Sequence, residues 1–118
     1  MVAYANRRQA QRIQPYVAPC RYVSGEERVS AFLTDISRGG GRVTAAPEPP
    51  QVGSTVTIVL RVARQPVALR LPAVVRWSRQ AERGGYVFGV SFDGVGREEQ
   101  EALDSLVEGF LRRAASII

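Results

Sequence analysis

Apolar and polar residues alternate along most of the 118-residue chain, and this period of two is typical of β-strands with one buried face. The clearest stretch is 54–63, where Val56, Ile58 and Leu60 fall on one face and threonines lie on the other. The same pattern predicts six strands in all, at 16–23, 28–34, 42–45, 54–63, 67–79 and 86–92. Pro19 marks the first strand as an edge or a bulge. Trp77 continues the apolar phase of the fifth strand.

The period changes from two to about 3.6 after residue 96, which predicts a C-terminal helix. Its apolar stripe consists of Leu103, Leu106, Val107, Phe110, Leu111 and Ala114. Glutamates open this helix, and Arg112 and Arg113 close it, which suits the helix dipole. Six short strands followed by one helix predict a mainly β fold, a six-stranded antiparallel barrel with a C-terminal α-helix. Residues 15–118 form this single domain, and residues 1–14 are predicted to be a flexible, arginine-rich arm.

Composition narrows the class of function. All sixteen basic residues are arginine and the net charge is +5, which predicts an anionic partner. The chain has no histidine, and Cys20 is its only cysteine, so no credible zinc site or catalytic triad can be assembled. We therefore expect a protein that is not an enzyme and has no metal or cofactor. The lack of a long apolar run or a signal sequence predicts a soluble, cytoplasmic protein without membrane insertion.

Two polar clusters carry the candidate chemistry. Arg8 and Arg12 lie four residues apart on the arm, and the stretch 35–41 contains an acidic residue, a hydroxyl and three glycines between two predicted strands. An arginine clamp, an acidic acceptor and a backbone that permits close approach suit a guanine nucleotide. A plain hairpin turn is the competing interpretation of 35–41, because Asp and Ser bond to the backbone and Gly accepts positive φ.

These clusters read as Arg-x-x-x-Arg, at Arg8 and Arg12, and Asp-x-Ser-x-x-Gly, at Asp35, Ser37 and Gly40. Further similarities are Val75-Arg76-Trp77 late in the fifth strand and Gly89-Val90-Ser91-Phe92 in the sixth. In this order and separation, on an all-β pattern, the chain resembles the PilZ domain family, bacterial receptors for cyclic di-GMP. The resemblance implies a PilZ-type barrel with cyclic di-GMP as its ligand. The additional glycine, Gly41, is expected to loosen the turn.

The two arginines are the predicted clamp of this site. An arginine fork matches the O6 and N7 acceptors of guanine, and it also binds phosphate through charge-assisted bonds. Arg8 and Arg12 would divide these tasks between them. In the family, an arginine at the position of Arg7 is compatible with two stacked, intercalated ligand molecules, which we treat as a hypothesis.

The other predicted ligand-binding residues are Asp35, Ser37, Gly40 and Trp77. The Asp35 carboxylate could accept the N1–H and N2–H of guanine, and Ser37 could donate to a phosphate or hold the loop. Gly40 would allow backbone to approach the ligand. Trp77 could stack on a guanine or could be a core or barrel-rim residue. Asp35 and Ser37 could cap the turn and bind the ligand at the same time.

The sequence therefore predicts a cyclic di-GMP receptor or adaptor. Ligand binding would order the arm over the barrel and alter the surface offered to an unidentified protein partner. A ligand-independent PilZ-type adaptor is one alternative. A small barrel that binds RNA or single-stranded DNA is another, although the arginines are scattered over both ends of the chain and several loops.

Overall fold

The computed structural model describes residues 18–62 and 65–117, and within them it shows six strands and one helix. The strands are β1 (Ala18–Ser24), β2 (Glu27–Ile36), β3 (Gly40–Ala45), β4 (Thr55–Leu60), β5 (Leu69–Gln80) and β6 (Tyr86–Phe92), and the helix is α1 (Arg97–Ile117). Every predicted element is present, with ends that differ by a few residues. The predicted arm at 1–14 lies outside the described residues.

The six strands close into a barrel in the order β1-β2-β3-β6-β5-β4, and all neighbouring strands are antiparallel. β3 pairs with β6 rather than with β4, so the proline-rich loop at 46–50 and the residues after it carry the chain to the other side of the barrel. The predicted fold, an antiparallel barrel followed by one helix, is confirmed. Closure places β2, β3, β6 and β5 side by side in one continuous wall.

The seam between β1 and β4 is short. Residues 21–23 of β1 have register partners in β4, whereas residues 18–20 have partners only in β2. Pro19 lies in this stretch without partners in β4, opposite Phe32 of β2. A proline has no N–H to offer a further strand, so the predicted edge position of Pro19 is confirmed.

Inward-facing apolar side chains fill the barrel. Leu33, Ile58 and Leu71 are fully buried, whereas Phe32, the neighbour of Leu33 on the opposite face of β2, is 50% exposed. This contrast confirms the predicted phase of β2. Tyr22 and Phe88 meet edge to face in the core, with ring centroids 5.2 Å apart and an interplanar angle of 87°. Burying each such side chain contributes about 1.5–3 kcal/mol.

Helix α1 packs one stripe against the barrel. Leu103 and Val107 join the core with 0% and 1% exposure, and Leu106 and Leu111 pack partly buried against it. The side chains of the other two predicted stripe residues, Phe110 and Ala114, lie outside the described part of the chain. The prediction that Arg112 and Arg113 close the helix is wrong, because α1 continues to Ile117 and its last turn contains no basic residue. The acidic first turn is present, with Glu98 and Glu99.

Cys20 is a core residue rather than a reactive thiol. Its side chain is 8% exposed, and burial raises the pKa of the Cys20 thiol to about 11. The thiol therefore stays protonated at neutral pH, and the thiolate that would act as nucleophile or metal ligand is scarce. Across 18–62 and 65–117, no three Asp, Glu, Cys or His side chains are grouped so that they could bind a metal ion. Within the same ranges no helix has the length and apolar character to cross a membrane.

Candidate functional site

Two β-bulges lie at the same level of the barrel wall. One shifts the register of β2 between Leu33 and Asp35, and the other shifts β5 between Val75 and Trp77. A bulge adds one residue to a strand and redirects the side chains that follow it. Both bulges therefore change the direction of residues at the positions where the sequence predicts ligand contacts.

The register partners just beyond the two bulges form a row of residues across four strands, which we call the cross-strand row. It consists of Asp35 opposite Arg42, Arg42 opposite Gly89, and Gly89 opposite Trp77. Since neighbouring strands lie about 4.8 Å apart, the row spans roughly 14 Å of wall. The fold thus brings the Asp-x-Ser-x-x-Gly motif and the tryptophan of β5, 42 residues apart in sequence, to the two ends of one short row.

The connection between β2 and β3 is only residues 37–39, shorter than the predicted turn at 35–41. The Ser37 amide donates to the Gly40 carbonyl oxygen at 2.9 Å, and the Gly39 amide donates to Ser37 Oγ at 3.2 Å. Ser37 Oγ also lies 3.4 Å from the Gly40 carbonyl oxygen, and the side chain is 5% exposed. Of the two roles predicted for Ser37, the structure shows the one that holds the loop.

Gly40 and Gly41 belong to strand β3, and close contact rather than positive φ explains why they are glycines. Gly39, Gly40 and Gly41 are all absent from the glycines with positive φ. A Cβ on Gly40 would overlap the carbonyl oxygen of Val90, and a Cβ on Gly41 would lie 2.8 Å from the carbonyl oxygen of Asp35. The expectation that Gly41 loosens the turn is wrong, because Gly41 pairs with Ile36 and Val90 within the sheet.

Asp35 is almost completely shielded, with 1% exposure. It is the last residue but one of β2, lies opposite Arg42 and precedes Ser37 by two residues. Hydrogen bonds to a carboxylate are stronger in such a shielded position than in water. A ligand can reach this carboxylate only if the groups that cover it move.

Trp77 lies on the outer surface, although the alternation of β5 placed it in phase with core residues. Val75 is fully buried and Trp77 is 41% exposed, because the bulge at Arg76 reverses the phase between them. The indole covers the place where a side chain at position 89 would stand, so a Cβ on Gly89 would overlap the indole ring. The Arg79 guanidinium carbon is 6.0 Å from the Trp77 ring centroid, at the outer limit of a cation–π contact.

Arg42 is a member of the cross-strand row that sequence reasoning missed. Its Nε donates to Thr34 Oγ1 at 3.4 Å, and the Thr34 hydroxyl in turn lies 3.3 Å from the Arg42 carbonyl oxygen. The position of Arg42 in β3, between the inward-facing residues Gly41 and Val43, was the available signal, since it places the guanidinium on the outer face. Arg42 adds a cationic donor between the carboxylate and the indole.

The structure therefore brings Asp35, Ser37 and Gly40 together at the end of β2 and the start of β3, and places Trp77 across the wall from them. Arg7, Arg8 and Arg12 lie outside the described residues, so their positions relative to this row remain predictions. What the described residues offer is a carboxylate, an aromatic face, exposed arginines and a tight backbone turn. This set can bind and orient an anionic, aromatic ligand.

Comparison with known families decides the classification, because the PilZ domain family matches residues 6–109. The chain belongs to the PilZ domain family. The matched range of this PilZ domain contains the Arg-x-x-x-Arg motif, the Asp-x-Ser-x-x-Gly motif and Trp77. The family predicted from the motifs is confirmed. A search of curated proteins finds no match.

Solved structures agree with this fold. The chain is similar to the Bacillus subtilis inhibitor of motility MotI/DgrA, with 22% identity and a TM-score of 0.74 over 93% of this chain and 52% of that one. It is similar to the PilZ domain of Escherichia coli YcgR solved with c-di-GMP, with 16% identity and a TM-score of 0.71 over 93% of this chain and 95% of that one. It is also similar to the K. pneumonia MrkH–c-di-GMP complex, with 14% identity and a TM-score of 0.75 over 97% of this chain and 57% of that one.

These identities are low, so the similarities describe a shared fold. The PilZ domain described here spans about half of MotI/DgrA and of a longer YcgR chain, 52% and 48% of their lengths. The remaining half of each of those two chains lies outside the matched region.

Proposed function

We propose that this PilZ domain is a receptor for cyclic di-GMP. The observation that carries the proposal is the cross-strand row, which sets the Asp-x-Ser-x-x-Gly motif and an exposed indole at the two ends of one wall segment. Membership of the PilZ domain family and the c-di-GMP complexes of YcgR and MrkH support the choice of ligand. The net charge of +5 favours a ligand that carries two phosphates.

Each end of the row has a role in this proposal. Trp77 stacks on a guanine, and Arg42 faces the ligand between the two ends. The carboxylate of Asp35 accepts the N1–H and N2–H of a guanine, which selects guanine over adenine. The tight Ser37–Gly40 turn contains glycines and places little side-chain bulk at this end of the wall, so that the ligand can lie close to the backbone.

The N-terminal arm completes the site. Arg8 and Arg12 bind guanine edges and phosphates, and Arg7 admits a second, intercalated ligand molecule. Ordering the arm costs about 1–2 kcal/mol per backbone residue. A micromolar affinity corresponds to a net binding free energy of about −8 kcal/mol. The contacts of the two arginines, the phosphates and the stacked bases therefore have to supply this amount in addition to the cost of ordering the arm.

Signal transmission follows from the same change. The shielded Asp35 carboxylate has to be uncovered when the ligand enters, so ligand binding and local rearrangement are coupled. We propose that the arm folds over the barrel at that moment and that a protein partner reads the altered surface. Hydrogen exchange at residues 5–14 is expected to slow when cyclic di-GMP is added. Unchanged exchange there would contradict the arm-ordering step while leaving ligand binding itself intact.

Isothermal titration calorimetry tests the receptor proposal directly. Cyclic di-GMP is expected to bind with an affinity near micromolar, whereas GMP and linear pGpG are expected to bind at least tenfold more weakly because they lack the closed pair of phosphates and bases. Two ligand molecules per protomer are expected if Arg7 acts as proposed, and one per protomer would remove that part. No binding of cyclic di-GMP by folded protein would refute the receptor proposal and favour a ligand-independent adaptor.

Replacing Trp77 by alanine separates stacking from packing. The side chain is 41% exposed on the outer surface, so the melting temperature is expected to stay nearly unchanged. Loss of the stacking platform is expected to weaken cyclic di-GMP binding by about 1–3 kcal/mol, or roughly 5- to 150-fold. Phe32→Ala is the matched control, since Phe32 is an aromatic of the same barrel wall with 50% exposure and lies outside the cross-strand row. A large loss of stability in Trp77→Ala with unchanged affinity would assign Trp77 to packing.

A further inference from the structure

Arg38 is the one charged residue of the β2–β3 connection, and its side chain points toward helix α1. Its Nε lies 3.6 Å from Asp104 Oδ1, and the two side chains are 51% and 43% exposed. Asp104 Oδ1 also accepts a hydrogen bond from Gln100 Nε2 at 2.9 Å, one turn earlier in the helix. The carboxylate is therefore held in place by its own helix and available to the guanidinium.

This ion pair joins the β2–β3 connection, residues 37–39, to helix α1. Arg38 stands between Ser37, which holds the turn, and Gly39, whose carbonyl oxygen accepts the Phe92 amide at 2.9 Å. Phe92 is the last residue of β6, and α1 begins five residues later at Arg97. Asp104 follows Leu103, one of the two residues that anchor α1 in the core. The β2–β3 connection thus contacts the end of β6 by a main-chain bond and α1 by a side-chain ion pair.

We propose that Arg38 is a further ligand-binding residue of this PilZ domain, and that Asp104 competes with the ligand phosphate for its guanidinium. The proposal rests on the receptor function above. In the absence of ligand, Arg38 pairs with Asp104. When cyclic di-GMP binds at the loop, Arg38 turns to a phosphate, and the side-chain link between the loop and α1 is lost.

The competition favours the phosphate. An ion pair between two half-exposed side chains at 3.6 Å is weak, because water and salt screen it. An arginine–phosphate contact is charge-assisted and is often bidentate, which makes it the stronger of the two. Arg38 has only to rotate its side chain to exchange one partner for the other. The remaining contact of the loop, the Gly39–Phe92 main-chain bond, need not change.

A double-mutant cycle on cyclic di-GMP affinity tests the competition. Asp104→Asn removes the competing charge but keeps an oxygen for Gln100, and it is expected to tighten binding by about two- to fivefold, the range of one exposed ion pair. Arg38→Ala is expected to weaken binding by about tenfold, as for loss of one charge-assisted contact. In the Arg38→Ala background, Asp104→Asn is expected to have no further effect. Glu101→Gln, on an exposed residue of α1, controls for the change in net charge.

The outcomes are distinct. Equal tightening by Asp104→Asn with and without Arg38, or by Glu101→Gln, would show a general charge effect and overturn the proposal. Unchanged affinity in Arg38→Ala would overturn it as well, even if the wild type binds cyclic di-GMP normally. If the folded wild type does not bind cyclic di-GMP, the receptor function and this inference fail together.

A second readout reports the helix. Amide hydrogen exchange within residues 100–108 is expected to quicken on ligand saturation in the wild type, because the ion pair no longer holds the helix to the loop. The Arg38→Ala variant, saturated at higher ligand concentration, is expected to show no such change. Ligand-induced quickening that persists in Arg38→Ala would show that the helix responds by another route, and would contradict the proposed exchange of partners.

Discussion

Replacing Arg8 and Arg12 together by alanine is expected to lower the affinity for cyclic di-GMP by at least about thirtyfold. Each good bidentate pair between an arginine and a guanine edge is worth about 1–3 kcal/mol, so the loss of two amounts to about 2–6 kcal/mol. Tenfold in affinity corresponds to about 1.4 kcal/mol, which makes the midpoint of that range close to a thousandfold. Calorimetry measures the affinity, and the melting temperature of the unliganded protein is expected to stay unchanged.

The matched control for the double variant is Arg28→Ala. Arg28 is an exposed arginine at the other end of β2, seven residues before Asp35, so it removes positive charge about 23 Å from the proposed site. We expect Arg28→Ala to change the affinity by less than about threefold, and more at low salt than at high salt. Comparable losses in the double variant and the control would mean that net charge rather than a clamp attracts the ligand. A double variant that binds normally would remove the arm from the site.

Replacing Gly40 by alanine is expected to cause the largest loss of stability among glycine-to-alanine changes at residues 39–41. The added Cβ would overlap the carbonyl oxygen of Val90 on β6, and it would lie 3.2 Å from the Ser91 Cα, so the backbone of two paired strands has to separate. Such overpacking against backbone costs about 2–3 kcal/mol or more. For a domain of this size the melting temperature is expected to fall by roughly 8–12 °C.

Gly39→Ala provides the comparison for that variant. A Cβ on Gly39 meets nothing within 4 Å, and Gly39 has no positive φ, so alanine is expected to change stability by less than about 1 kcal/mol. Both variants add one methyl group to neighbouring residues of the same motif, and only the contact with β6 differs. If Gly39→Ala destabilised as much as Gly40→Ala, flexibility of the loop rather than close packing of β3 on β6 would be the requirement.

The barrel itself could be predicted from the sequence because each strand exposes one face. Alternation fixed which side of β2 is buried, as Leu33 and Phe32 show, and the change of period after residue 96 located α1. Boundaries were less accurate where glycines occur within a strand. Gly40 and Gly41 were assigned to a turn because glycine is common in turns, but in this fold they are strand residues that lack a side chain for steric reasons.

The arrangement of the site could be predicted only in part. The motif residues Asp35, Ser37 and Gly40 identified one end of the row, since the family pattern is local in sequence. The position of Trp77 on the outer surface depends on the bulge at Arg76, and a one-residue register shift leaves no mark in the alternation. Arg42 was missed for a related reason, because its neighbours are set by pairing across β2, β3 and β6 rather than by spacing along the chain.

Closure of the barrel limits how a partner protein can recognise this domain. Within the described residues every strand has a paired neighbour on each side, so stretches with register partners on one side only are confined to strand ends, such as residues 18–20 of β1 and residues 27–31 of β2. Partners that bind by adding a strand need such a border. Over the rest of the wall, the proposed partner protein would have to recognise side chains on the outer surface or on the exposed face of α1. Specificity in the signalling complex would then depend on a small number of surface residues, and it could be changed by substitutions that leave the sheet intact.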